Sequence, residues 1–167
     1  MSVIASREEL GADDNYTRIE GQFYKPMTFG KNTIVPRVSA SVKLGAGRIP
    51  LYDQVPLGGF LNLSGLARGG LFDQNAGLAE LIYYRKLAEL SPATGRGIYG
   101  GFSIEAGEVW GNAADFGAGK IVYGGSVFVG ADTVLGALHL GVGLAERGNV
   151  SVYLQLGPVF RQGRHQR

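Results

Sequence analysis

The chain has 167 residues, of which 28 are glycine and none is cysteine, with 18% charged side chains and a formal net charge of +2. The length suits one domain. The lack of cysteine excludes a disulfide scaffold, thiol chemistry and thiolate metal sites, and the small charge gives no footprint for a nucleic-acid partner. Charge falls below the roughly 25% usual in soluble domains, and glycine far exceeds its average of about 7%. The glycines have no triplet period and lie inside apolar, β-branched segments, as expected of a sheet that uses glycine at bends and beside large aromatic rings. No run approaches the roughly 18 apolar residues of a membrane-spanning helix.

Alternation with a period of two, broken by turn residues, is the main signal along the chain. A partial strand precedes Leu10. In 16–24, Arg18, Glu20 and Gln22 share one face and Thr17, Ile19, Gly21 and Phe23 the other. The turn Phe29-Gly30-Lys31-Asn32 leads into 33–44, where Thr33, Arg37, Ser39, Ser41 and Lys43 oppose Ile34, Pro36, Val38, Ala40, Val42 and Leu44. Val35 is an apolar exception on the polar face. A Gly- and Leu-rich connection spans about 45–75. The segment 77–90 has helix-forming Leu, Ala, Glu and Lys, but its paired tyrosines and strand neighbours favour β. After the turn 91–95, strands are expected at 98–110, 120–131, 135–145 and 150–160. Their lengths of about 9–13 residues approach the 9–11 needed by a tilted strand to cross a bilayer, whereas globular strands average about 5–6.

The two faces separate two solvents. A soluble barrel puts its polar face to water around an apolar interior; a membrane barrel puts the apolar face to lipid and lines its lumen with polar residues and glycine. Here the polar face mixes charge, hydroxyls and glycine, which suits a hydrated lumen. Connections alternate between short and long, the asymmetry of periplasmic turns and extracellular loops, with the short 145–149 link as an exception. The expected fold is all-β: an antiparallel transmembrane barrel portion of seven to eight meander strands over 1–160, followed by a basic tail at 161–167. Tyr and Trp at strand ends, Trp110 and Phe160 foremost, suit interfacial girdles.

Three motifs in order resemble the bacterial surface-antigen family of outer-membrane barrels, BamA- and TamA-like assembly and translocation proteins. Leu57-Gly58-Gly59-Phe60-Leu61-Asn62-Leu63-Ser64-Gly65-Leu66 is similar to the family's inward-folded loop. Gly101-Phe102-Ser103-Ile104-Glu105-Ala106-Gly107-Glu108-Val109-Trp110 is similar to its partner strand in the wall, and Gln155-Leu156-Gly157-Pro158-Val159-Phe160 to its terminal β-signal. Asp132 to Gly141, followed by Tyr153 to Gly157, looks most like the barrels that end patatin-like type V autotransporters. The resemblance implies an inward loop carried by Gly58, Gly59, Asn62, Ser64, Gly65 and Arg68. It implies a wall strand carried by Phe102, Glu105, Gly107 and Trp110, and a signal at Gln155, Gly157 and Phe160.

It also implies a bacterial outer-membrane location, a lipid-bilayer partner, the barrel assembly machinery, and anchoring or export of an N-terminal patatin-like passenger. The family's barrels have roughly twice the strands visible here. The wall is therefore expected to need missing N-terminal strands or a second copy. Because the residues from Met1 to Glu9 lack the apolar core of an export signal, the chain is expected to be a fragment.

One departure stands out. The loop arginine of the family falls at Ser64 and its acidic partner at Glu105, so the bidentate ion pair is replaced by at most a single hydrogen bond, unless Arg68 substitutes. Catalysis is not expected. Gly124-Gly125-Ser126-Val127-Phe128 and Gly101-Phe102-Ser103-Ile104-Glu105 both lack the last glycine of a nucleophile elbow. Glu105 and Glu108, three apart on a strand, point to opposite faces. His139 is expected to make a structural hydrogen bond, and no cofactor is implied. The competing expectations are an assembly or translocation factor and a soluble lipid-binding β-barrel with an apolar interior.

Overall fold

Every strand that alternates needs neighbours on both sides for its backbone, and the chain supplies them in sequence order. A computed structural model describes residues 2–6, 16–45, 48–91, 93–112, 115–117 and 120–157. The strands are β1 (Ser2–Ser6), β2 (Tyr16–Tyr24), β3 (Met27–Phe29), β4 (Asn32–Leu44), β5 (Val55–Leu57), β6 (Leu71–Asp73) and β7 (Asn75–Ala88), then β8 (Gly95–Trp110), β9 (Val122–Thr133), β10 (Gly136–Ala145) and β11 (Asn149–Leu156). The main sheet runs β1-β2-β4-β7-β8-β9-β10-β11, with β3 paired to β4. All its pairings are antiparallel. The fold is an all-β antiparallel meander, and its sheet is open, with β1 and β11 at the edges. No α-helix occurs among the described residues; 77–90, with its helix-forming composition, lies mostly within β7.

Register makes the two faces continuous across strands. On one side Tyr83, Phe102, Val127, Val142 and Val152 stand in a row across five strands. Their neighbours on the other side are Ile82, Ser103, Ser126, Gly143 and Ser151. The first row is open to the surroundings: Val127 is 68% exposed and Val152 71%, with Leu81, Ile104, Leu140, Leu144 and Leu154 also exposed. The second row is covered. Ser103 and Ser126 are buried, as are Glu80 and Glu105 on the adjacent inward row.

The cover is a segment of the long connection that sequence patterning leaves featureless. Within it, β5 and β6 pair as a two-stranded ribbon, and the intervening loop 58–70 folds onto the polar face. Leu61 joins Val35, Ile82 and Phe128 in one apolar cluster, while Leu57 and Leu63 join Ala76 and Leu78 in another. This accounts for Val35, the apolar exception on the polar face of β4: it lies beneath the loop. Side chains from β4, β8 and β11 all bond the loop. In a flat sheet β4 and β11 would stand about 24 Å apart, so this convergence requires a face that is concave towards the loop.

Trp110 departs from the girdle expectation. It is 5% exposed, stands over Gly77 and packs edge-to-face on Phe116 at 5.0 Å. The connection after β8 supplies Phe116 and covers the ring. Phe160 and the basic tail 161–167 lie outside the described residues.

Candidate functional site: the loop seat

The loop 58–70 is built to hold itself before it meets the sheet. The Gly58 amide donates to the Asn62 carbonyl at 2.7 Å, the Asn62 side chain returns to the Gly58 carbonyl at 3.2 Å, and the Gly59 amide donates to Leu66 at 3.1 Å. Gly58 and Gly59 have φ of 122° and 112°, and a Cβ on Gly58 would collide with the Ala67 carbonyl. Leu61 and Leu63 also take positive φ, 53° and 64°. Each such residue costs of order 1–3 kcal/mol and persists only where its surroundings enforce it. Here burial of both leucines and the bond from the Leu61 amide to Ser64 Oγ at 3.0 Å enforce it.

Ser64 and Glu105, paired by position in the sequence, meet. Ser64 donates its amide to Glu105 Oε2 at 2.6 Å and its hydroxyl to Oε1 at 2.7 Å; Ser103 Oγ also donates to Oε1 at 2.5 Å. Ser126 Oγ lies 2.7 Å from Ser103 Oγ. Since Ser103 gives its proton to Glu105, Ser126 is the donor to Ser103. The expectation of at most one hydrogen bond from position 64 is therefore corrected: the backbone amide adds a second, and a carboxylate has lone pairs for both. Arg68 does not take the place expected of it opposite Glu105. It is exposed and joins no ion pair among the described residues.

Three further groups grip the loop, and sequence reasoning assigned none of them to it. Arg37 Nη2 on β4 donates both to the buried Glu80 carboxylate and to the Leu61 carbonyl. On the edge strand, Tyr153 Oη accepts from the Gly65 amide at 3.1 Å and donates to the Leu66 carbonyl at 3.0 Å. Ser151 Oγ donates to the Gly65 carbonyl at 2.9 Å. Phe60 completes the seat against Phe128 and Tyr153, with ring centroids 5.6 and 5.4 Å away. The available signal was the polar face of β4 and β11, which carries Arg37, Ser151 and Tyr153.

The glycines explain how the loop comes so close. A Cβ on Gly143 would lie 2.5 Å from the Gly65 amide nitrogen; one on Gly124, 2.8 Å from the Ser64 carbonyl oxygen; one on Gly141, 2.9 Å from the Phe60 ring; and one on Gly107, 2.9 Å from Leu63. Gly141 sits beside an aromatic ring as expected, and with the other three it clears a bed for a peptide segment.

Phe102 lies on the exposed face, opposite Tyr83 and Val127, and so has no part in the seat. Glu108 is buried on the face opposite Glu105, as strand geometry requires. His139 makes no hydrogen bond through Nδ1, which is buried without a partner; its ring lies 6.3 Å from Phe60. A cavity of about 370 Å³ adjoins the loop, walled by Leu61, Ile82, Tyr84, Tyr99, Phe128 and His139. Ser103 and Ser126 are mid-strand and buried with a carboxylate, and among the described residues no His shares their hydrogen-bonded chain. Of the residues expected to form a terminal signal, Gln155 and Gly157 are described, with Gln155 paired to His139; Phe160 lies outside the described residues. No group of three or more acidic or His residues among those described has metal-holding geometry. No family model matches the chain, and no curated protein matches it significantly.

Proposed function

We propose that the chain is a wall segment of a bacterial outer-membrane β-barrel whose inward loop is latched in the lumen, and that it anchors an N-terminal passenger and contributes to its translocation. The observation that carries the reading is the polarity of the curved sheet. Apart from Arg85 and the buried Glu108 and Trp110, its outward rows are largely apolar and exposed, while its inward rows hold Arg37, Glu80, Ser103, Glu105, Ser126 and Ser151 beneath the loop. Lipid is the solvent that matches such an exterior, because contiguous exposed apolar surface of this extent is unfavourable in water. A soluble lipid-binding barrel needs the opposite arrangement. The outer-membrane location, the assembly machinery as a partner and the patatin-like passenger rest on the motif resemblance to surface-antigen barrels.

A second reading, an assembly or translocation factor for other proteins, gains from the latch. Ser64 and Glu105 hold the loop without the family's arginine, so a docked loop does not require that ion pair. Vesicle flotation tests the leading reading. The chain refolded with phospholipid vesicles is expected to float with them and resist carbonate extraction; recovery as a monodisperse species in lipid-free buffer would overturn it.

A further inference from the structure

We propose that Arg85 of β7 and Lys31 of the β3–β4 turn form a seat for the phosphate of an anionic phospholipid; the inference rests on the membrane reading above. The height of the apolar wall fixes where these cations lie. On β4 the outward residues are apolar from Ile34 to Leu44. Those ten residue steps cover about 33 Å along a strand, or about 25 Å of height at the 35–45° tilt of membrane barrels, which is the full height of their apolar band. The next outward rung beyond Ile34 joins Phe29, Asn32, Arg85 and Gly100 across β3, β4, β7 and β8. Arg85 therefore emerges where hydrocarbon gives way to headgroups. Tilt carries the same rung deeper on later strands: Lys31 adjoins Asn32 in the β3–β4 turn, whereas β9 runs on to Thr133, four residues past Val129 on that rung.

A guanidinium at this boundary requires an anion in place of the water it gives up. The acidic residues at this end are already engaged, Glu89 with Lys86 and Asp132 with Arg96. Arg85 and Lys31 are both exposed, and neither joins an ion pair among the described residues. They stand together, since the Lys86 amide donates to the Lys31 carbonyl at 2.8 Å and Asn32 lies opposite Arg85. A planar guanidinium meets two phosphate oxygens at once, and an ammonium adds a point charge. Phe29 and Leu87, 64% and 57% exposed, flank the pair. Leu87 leans over Gly100, whose missing Cβ would lie 3.0 Å from its Cδ1. Such an apolar collar suits a phosphate that arrives with acyl chains attached, and it favours a bilayer lipid over a dissolved phosphate ester.

The chain's lack of cysteine allows a local test on the full chain in vesicles. A bimane label is placed at Ala88→Cys, beside the seat, or at Leu135→Cys, in the β9–β10 turn at the same end and 95% exposed. The vesicles are phosphatidylcholine with a small fraction of either phosphatidylglycerol or phosphatidylcholine bearing a spin label high on one acyl chain. At position 88, quenching by the phosphatidylglycerol is expected to exceed that by the phosphatidylcholine at least threefold; at position 135 the two should be equal. Arg85→Gln with Lys31→Gln is expected to remove the preference at position 88, and Arg85→Lys to keep only part of it, because an ammonium cannot make two parallel bonds.

Equal quenching by both lipids at position 88 would overturn the seat while leaving the membrane reading intact. A preference that survives the double substitution would overturn the assignment to Arg85 and Lys31. Loss of the preference on adding soluble glycerol phosphate would show a site for a dissolved ester and overturn the choice of a bilayer lipid. No quenching by either lipid at either position would sink the membrane reading itself.

Discussion

Glu105 is 1% exposed and accepts hydrogen bonds from the Ser64 amide, the Ser64 hydroxyl and the Ser103 hydroxyl. A buried carboxylate is tolerated only when its lone pairs are met, so the loop and the wall each stabilise the other's polar group. Glu105→Gln replaces one acceptor oxygen with a donor and faces three donors with a single carbonyl. It is expected to lower stability by about 2–3 kcal/mol, read as a shift of the urea midpoint for the vesicle-bound chain. Ser64→Ala, which keeps the amide bond, should cost less. An arginine at position 64, as in the loop motif the sequence resembles, is expected to do harm. Ser64 has 0% exposure, and its Cβ and carbonyl abut the space over Gly143 and Gly124. Ser64→Arg should therefore displace the loop rather than lock it, detectable as new protease cleavage within 58–70. Comparable loop protection in Ser64→Arg and the parent would show that the seat has room for arginine.

At the scale of the element, the strands were legible and the bed beneath the loop was not. Period-two alternation placed β2, β4 and β10, and the start of β11, within a few residues, because side-chain alternation is a local consequence of strand geometry; β7 was legible from its paired tyrosines and strand neighbours, and β8 and β9 from the turns that bound them. The short pieces β3, β5 and β6, three residues each, carry too little pattern to stand out. The Ser64–Glu105 contact was legible only as a pair of motif positions, without its chemistry. Arg37, Tyr153 and the glycine bed were missed because each acts on a segment far away in the chain; Tyr153 and Leu66 are 87 residues apart.

The bed gives a sharp expectation. Gly143→Ala brings a methyl group to about the position 2.5 Å from the Gly65 amide nitrogen, against peptide backbone that cannot rotate aside. In a Ser64→Cys background, whose thiol is the chain's only one, maleimide labelling should be slow for the parent and at least tenfold faster after Gly143→Ala. Equal rates would mean that the loop does not lie on this bed. Gly136→Ala in the β9–β10 turn, with nothing near its missing Cβ, controls for general effects, although its φ of 116° adds local strain.

At the scale of the whole molecule, the two faces should respond oppositely to the same charge. Val127 stands mid-row on the exposed side and Ser39 lies on the inward side of β4. If lipid covers the outward rows, arginine at position 127 must be held in hydrocarbon, a cost of about 2–4 kcal/mol at the bilayer midplane. Arginine at position 39 stays on the inward face between Arg37 and Ser41 and beside Gln22 of β2, with its aliphatic stem free to lie along the wall. Val127→Arg is thus expected to reduce the fraction of chain that floats with vesicles by tenfold or more, and Ser39→Arg to leave it near the parent value. A soluble barrel with its ligand inside reverses the order, because Val127 would then face water and tolerate the charge. Both positions lie within paired strands and on opposite faces of the sheet. The difference between the two variants measures which side of this sheet meets the bilayer, and equal flotation of both would remove the basis for calling it a membrane wall.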